Sequence, residues 1–485
     1  MVSTGIQRRK QWSRLGRISV ALLLACATLA LTIGLVRAVS LLPHWGSGGV
    51  AVSQAQNDQG RPTIASDGDE GAIVAWADER GTDTDIYVQR VLSNGALAWS
   101  SDGVPVITST GNQTRTYLAP DGDQGAIVVW QDDRAGNWDI YAQRVLSDGT
   151  KAWPISGTAV CTATSDQHNP QVVPDDNGGV IVAWLSDPEN LVLQRLTGDG
   201  TLLWPGGGIS VSVPAAQVAS LAPPFALIAD GFGGAILAWE TPNGAIRAQR
   251  ILSDGTRAWS PPPVIYDWGN NAVPRLVPDA NGGAIVAWLC EDENTDIYAR
   301  RVLSDGTLLP VAYLVEERST QEFHDIASDG EGGAIVAWTD RRGETVTVFA
   351  QRMLSNGATA WVTDGVTVCA TAGQVPYLVP DGLNGAIVTW WSWNEGGYDI
   401  RVRRLLSNGV ATGDTNGILV GRMSGLPRYN FWQLWTRSHS TPDEAGGMLI
   451  AWESKGAGDW DIWAQHVGLL DLNRRVFLPL VLRNS

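Results

Sequence analysis

Residues 121–130 read Asp-Gly-Asp-Gln-Gly-Ala-Ile-Val-Val-Trp, a turn led by aspartate that runs into an apolar strand and ends on tryptophan. The same pattern, Asp-x-x-x-Gly-(Ala/Val/Met)-(Ile/Leu)-(Val/Leu/Ile)-x-Trp, occurs eight times in the chain. The pairs are Asp67/Trp76, Asp121/Trp130, Asp175/Trp184, Asp230/Trp239, Asp279/Trp288, Asp329/Trp338, Asp381/Trp390 and Asp443/Trp452. Successive tryptophans lie 54, 54, 55, 49, 50, 52 and 62 residues apart, so the chain is a repeat architecture before any one residue is weighed.

Working outward in the second copy, Thr116 to Ala119 is a short extended run and Ala126 to Trp130 a continuous apolar strand. Asp132 to Trp138 is a polar loop, Asp139 to Leu146 an alternating strand, and Ser147-Asp148-Gly149 a tight turn before Trp153 and a last strand ending at Val160. Four short antiparallel strands in about 50 residues match one blade of a propeller, whose sheets stand radially and bury both faces against their neighbours. The expectation is an all-β, eight-bladed propeller of four-stranded antiparallel blades, with the Ala-Ile-Val-Ala-Trp run as the inner strand of each. A parallel β-helix needs shorter coils, and separate sandwiches need about 100 residues each.

A ring must join its ends. Trp45-Gly-Ser-Gly-Gly49-Val-Ala-Val52 reads as the same outer strand as Trp99-Ser-Ser-Asp-Gly103-Val-Pro-Val106, whereas the eighth unit has none after Asp461 to Val467. The N-terminal strand is therefore expected to complete the last blade and remove an open sheet edge. The alternative filler is the tail Val476-Phe-Leu-Pro-Leu-Val-Leu482, where Pro479 is unsuited to an internal strand. Residues 1–38 have the form of a secretion signal: Arg8, Arg9, Lys10, Arg14 and Arg17, then uncharged Ile18 to Val36, then Val36-Arg-Ala38 for cleavage. The apolar run is long for a signal, so an uncleaved membrane anchor is the alternative and the one route to a membrane. The expected organisation is a leader over 1–38, one propeller over 39–470 and an apolar tail over 471–485, in a secreted or cell-surface monomer.

The full chain has 34 basic and 50 acidic residues; losing the six basic residues of the leader leaves 28 against 50, a net charge of −22. That argues against a polyanionic partner, and no nucleic acid is expected. Cys161 and Cys369 fall at equivalent places in units two and six, on opposite sides of an eight-bladed ring, and Cys290 is expected alone in a loop, so no disulfide is expected.

Tryptophan is the unusual residue, with 23 in the chain. The eight strand tryptophans, and Trp45, Trp99, Trp153, Trp204, Trp259 and Trp361 in the outer turn, recur at fixed places and are structural. Setting aside Trp12 in the leader, Trp138, Trp268, Trp391, Trp393, Trp432, Trp435, Trp460 and Trp463 remain. Trp391, Trp393 and Trp460 are expected in loops between second and third strands, on the face that carries the blade-to-blade connections. Flat apolar rings beside hydroxyl and carboxylate groups suit sugar faces, which makes Trp391, Trp393, Tyr398 and Trp460 the candidate ligand-binding patch. The competing reading is added aromatic packing in the closing blades.

The same loops are acidic, as in Asp78-Glu-Arg80-Gly-Thr-Asp-Thr-Asp85 and Asp132-Asp-Arg134-Ala-Gly-Asn-Trp-Asp139. Carboxylates this close could hold calcium, but the central arginine points to a turn held by an Asp-Arg pair. No metal and no cofactor is expected. The repeated Gln-Arg of the third strand, as in Gln89-Arg90, recurs too widely to mark a single catalytic point. A catalytic centre should break the repeat, and His44, His168, His324, His439 and His466 stand without metal spacing around them. No catalytic residue is assigned. Glu240, Glu291, Glu395 and Glu453 follow strand tryptophans into the same loops and leave a paired-carboxylate glycosidase open.

Gly-Ala-Ile-Val-Ala-Trp at Gly283 to Trp288, and Asp-Ile-Tyr-Ala-Gln-Arg-Val-Leu-Ser-Asp-Gly-Thr at Asp139 to Thr150, resemble repeats of secreted, mostly uncharacterised bacterial proteins thought to be propellers. The resemblance covers about 440 residues and implies architecture without an activity. The Ser-Asp-Gly-Thr-x-x-Trp turn also resembles the Asp-box of sialidase-like propellers, but its spacings differ. A sialidase would also need an arginine cluster and a tyrosine nucleophile, which cannot be assigned here. The functional expectation is a binding or scaffold module for a glycan or extracellular protein. The alternatives are a polysaccharide-active hydrolase or lyase and a purely structural surface protein.

Overall fold

The computed structural model describes residues 41–186, 190–212, 225–291, 294–316, 319–425, 440–456 and 458–469. The leader, the C-terminal tail, Trp432 and Trp435 lie outside them. Residues Leu42–Gly468 form one compact unit.

Seven four-stranded antiparallel sheets follow one another along the chain with their strands in sequence order, an eighth, five-stranded sheet is built from both ends of the described chain, and no helix occurs among the described residues. The first blade holds Gln59–Ser66, Ala72–Asp78, Asp85–Val91 and Val104–Ile107; the second holds Gln113–Pro120, Ala126–Asp132, Asp139–Val145 and Thr158–Cys161. The expected eight-bladed propeller is the fold. One detail is corrected: the Ala-Ile-Val-Ala-Trp run is second in each blade. The axis is lined by the strand before it, where Thr63, Tyr117, Gln171, Ala226, Arg275 and Asp325 from successive blades surround one cavity of about 370 Å³. Polar residues tolerated beside that channel explain why the innermost strands carry a weaker apolar signal.

The second strand is apolar throughout because alternate residues face different neighbours. Ile73 and Ala75 pack with Ala126, Val128 and Trp130 of the next blade. Ala72, Val74 and Trp76 pack with Leu449, Ala451 and Ile462 of the eighth. The core is thus a series of layers between blades, at about 1.5–3 kcal/mol for each fully buried large aliphatic side chain. Cys290 belongs to one such layer: it is buried on Ala284–Glu291, which corrects its expected place in a loop. Cys161, Cys290 and Cys369 form no disulfide among the described residues.

Two polar devices recur through the blades, the second in all but blades five and seven, where Arg300 and Arg403 replace the glutamine. The turn aspartate uses Oδ1 to accept the backbone N–H groups two and four residues on, as Asp121 does from Asp123 (2.8 Å) and Gly125 (2.9 Å). Its Oδ2 takes the arginine that ends the third strand, with Arg144 Nε at 2.8 Å. Seven blades repeat that pair, and the eighth has His466 on Asp443 instead. The glutamine before that arginine binds the outer turn: Gln89 Oε1 accepts from Trp99 N and Gln89 Nε2 donates to the Ser100 carbonyl.

Blades are clasped by the six outer-turn tryptophans. Trp99 Nε1 donates to the Ser147 carbonyl of the next blade at 3.1 Å, and Trp45, Trp153, Trp204, Trp259 and Trp361 make the equivalent bond. Gly149 in that turn has φ +84° and lies on the Trp99 ring, where a Cβ would come within 3.0 Å of Cδ1, so both conformation and space require glycine.

The ring closes as the sequence indicates. Leu41–Pro43 and Val50–Ser53 both pair with Trp460–Leu469, and Val50 is opposite Ala464. Gln465 serves Trp45 as Gln89 serves Trp99, its Oε1 accepting Trp45 N–H at 2.9 Å and its Nε2 donating to Gly46 O at 2.8 Å. Trp45 therefore belongs to the eighth blade, and it clasps the first through the Ser93 carbonyl at 3.1 Å.

Candidate binding face

Loops between second and third strands share one face with the connections between blades. The Thr84 carbonyl accepts from Gln113 N at 2.7 Å, and the Trp138 carbonyl accepts from Gln167 N at 2.7 Å. Turn aspartates and their arginines occupy the opposite face.

The acidic loops are Asp-Arg turns. Asp78 accepts from Arg80 Nε (2.8 Å) and Nη2 (2.6 Å) and from the indole of Trp76 (2.7 Å), while the guanidinium lies 3.8 Å from the centre of the Tyr87 ring. Asp132 with Arg134 and Asp340 with Arg342 repeat the arrangement. Both carboxylate oxygens are thereby occupied by donors. Among the described residues no group of three or more His, Cys, Asp or Glu is disposed to hold a metal ion.

Three members of the aromatic patch meet in blade seven. Ala386–Asn394 and Gly397–Leu405 run on into a longer hairpin than in other blades, so Trp391 and Trp393 stand on a strand rather than in the expected loop. Trp393 is opposite Tyr398, with ring centres 5.0 Å apart and planes at 76°. Trp391 lies 5.8 Å from Tyr398 on its other side. Exposure separates them, at 56% for Trp393 but 4% for Trp391 and 5% for Tyr398. Trp391 turns inward to a cavity of about 20 Å³ shared with Met423, Trp452 and Glu453 of blades seven and eight. Trp460, 7% exposed, starts the third strand of blade eight, where its N–H donates to Asp58 at 3.0 Å. The hairpin thus presents one exposed indole braced by a buried tyrosine, while Trp391 and Trp460 pack between blades.

A second exposed indole, Trp268, lies in the connection from blade four to five at 70% exposure. Its carbonyl accepts from Asn271 Nδ2 at 2.8 Å, and Asn271 Oδ1 in turn accepts from the buried Trp288 indole at 2.9 Å. Close by, Glu240 ends the second strand of blade four. Burial, then the charge of Glu291, push its carboxyl up to about 7, and Glu291 accepts from Asn270 at 3.0 Å. The structure brings together two of the four glutamates singled out from sequence. Glu453 is engaged otherwise, accepting the backbone N–H of Arg61 in blade one at 2.5 Å.

That last contact shows a recurring latch that the sequence does not announce. The side chain after the strand tryptophan reaches a bulge in the next blade's first strand: Gln131 accepts from Asn169 N at 2.9 Å, and Thr339 from Val375 N at 3.0 Å. The bulge residues have positive φ, 57° at Arg61, 53° at Asn169 and 53° at Val375, a conformation costly for a β-branched residue. Of the histidines, His168 lies 3.3 Å from Gln131. His324 is enclosed, and burial, then the charge of Arg275, lower it to about 3.

No family model matches the chain, and no curated protein does. Solved structures of similar fold include a protein of unknown function from Dyadobacter fermentans, at 9% identity and TM-score 0.40, covering 88% of this chain and 99% of that one. An ulvan lyase of a polysaccharide lyase family is similar at 11% identity and TM-score 0.43, covering 77% and 98%. The β-propeller domain of the Trilobed protease from Pyrococcus furiosus is similar at 9% identity and TM-score 0.41, covering 74% and 99%. Likenesses this distant carry no functional argument.

Proposed function

We propose that the protein is a secreted or cell-surface binding module whose ligand is a glycan, held on the face of the blade connections. The observation that carries this reading is Trp393, an indole more than half exposed, standing on a regular strand and braced at 5.0 Å by a tyrosine that is itself buried. A rigid flat ring with hydrogen-bonding neighbours is what the apolar face of a sugar requires, and it loses little conformational entropy on binding. The −22 charge of the chain without its leader disfavours polyanionic glycans and favours neutral ones. Residues 39–485 are to be titrated with neutral polysaccharides, Trp393→Ala serving as the site variant. Trp391→Ala is a packing control expected to lose about 3–5 kcal/mol of stability. Binding lost in a fully stable Trp393→Ala supports the reading; binding unchanged in that variant refutes the assignment of the site.

One observation favours the alternative, a polysaccharide-active hydrolase. A carboxyl raised to about 7 beside a second carboxylate is the form in which a glutamate delivers a proton to a glycosidic oxygen. Product release assayed in the same titrations separates the readings, since Glu240→Gln abolishes hydrolysis only if Glu240 is the acid.

A further inference from the structure

Seven blades end their third strand with an arginine on the turn aspartate: Arg90, Arg144, Arg195, Arg250, Arg301, Arg352 and Arg404. The eighth, the one blade assembled from both ends of the chain, departs from this. There His466 Nε2 bonds Asp443 Oδ2 at 2.5 Å, and a second imidazole, His44, comes in on the closing strand. The two rings are 4.6 Å apart at 75°, and Trp45 packs against His466 at 5.8 Å. His44 N donates to the His466 carbonyl at 2.7 Å, so this contact joins the N-terminal strand to the rest of the blade.

We infer that the closing seam is acid-sensitive, and that a proton taken up by His44, whose ring packs on His466, loosens the N-terminal strand while the seven arginine blades stay closed. An arginine keeps its charge at every accessible pH, whereas imidazoles gain theirs between about pH 8 and pH 5. The charged groups around His44 are His466 from the third strand, Asp443 from the turn of blade eight and Glu70 from the turn of blade one. Glu444 lies beside Gly68 in that same turn. Asp443 already takes the His466 proton donor and the N–H groups of Ala445 and Gly447. His466 Nδ1 is buried with no hydrogen-bond partner among the described atoms.

Burial, then the neighbouring His466, hold His44 below its ordinary value, against the opposing pull of Asp443 and Glu70. A histidine lowered in the folded state contributes full stability above its unfolded pKa. That contribution is lost as pH falls below about 6.5 toward the folded value. Loosening bares the outer edge of Trp460–Leu469, the edge that the closing strand covers.

Amide hydrogen exchange of residues 39–485, corrected for intrinsic rates, reads this directly. Between about pH 7.5 and pH 5, amides of 44–53 are expected to lose roughly tenfold in protection. Those of 113–120, in a blade held by Asp121 and Arg144, are expected to keep theirs. His44→Gln retains the backbone bond and removes the second imidazole, and it is expected to make the seam indifferent to pH. Equal protection of 44–53 at both pH values overturns the inference. So does a loss that persists in His44→Gln, or one shared by 113–120.

Discussion

One carboxylate oxygen for a local turn and the other for a distant arginine: that division makes the turn aspartate matter beyond its loop. Asp381 is almost fully buried with Arg404, whose Nε donates at 2.7 Å, while Oδ1 holds the N–H groups of Leu383 and Gly385 at 2.8 Å. Asp381→Ala leaves a guanidinium buried without its counter-charge and should cost about 3–5 kcal/mol, measured by chemical denaturation. Glu240 behaves oppositely. Its carboxyl is raised to about 7, so the folded protein holds a proton that the unfolded chain releases earlier. Its contribution to stability therefore falls as pH rises from the unfolded carboxylate range through 7. Glu240→Gln should gain melting temperature over the wild type at pH 8 and little at about pH 4. Both residue types were visible in the sequence, but pairing was not. The aspartate and Gln-Arg repeats each recur at fixed places; that they are partners depends on the turn folding back over the third strand, as with Asp67 and Arg90. The aromatic patch was half legible for a related reason. Composition located Trp391, Trp393 and Tyr398, but the three side chains share one face of the hairpin, and position along it decides exposure: Trp393, near the tip of the extended blade-seven hairpin, faces solvent while Trp391 is covered.

Strands two to four of each unit were plain in the sequence because burial on both faces, alternation and a glycine turn each leave a distinct trace. First strands were harder to read. Their bulges interrupt alternation, as between Gly60 and Thr63 or Thr114 and Tyr117, and their side chains face a polar channel. The bulge is tied to the preceding blade by one side chain, and blade six uses Thr339, fully buried, to accept from Val375. Thr339→Val keeps the shape and removes the acceptor. A buried N–H left unpaired costs about 1–3 kcal/mol, so urea denaturation should show a loss of that order. A loss below about 0.5 kcal/mol would mean that the bulge holds without its latch.

At the level of the ring, blades one to seven are each continuous in sequence, while the eighth needs the N-terminal strand. Its part was legible because Trp45-Gly-Ser-Gly-Gly49 repeats the outer turn, and Gly49 lies against Trp452 with φ +80° where a side chain would collide. A chain beginning at residue 54 should expose the edge of Trp460–Leu469 and elute as a larger species in size-exclusion chromatography. A peptide of residues 41–53 added in excess should return it to the elution volume of the intact chain. The closure also sets an order of events in synthesis. Trp45 N bonds Gln465 across 420 positions, so the first strand to leave the ribosome is the last to find its place. At roughly 5–20 residues per second it waits tens of seconds for its partner. During that wait every nascent ring has an unpaired strand at one end and seven forming blades behind it, and whatever shields that strand in the cell acts on a molecule whose final step cannot begin until Gln465 has been made.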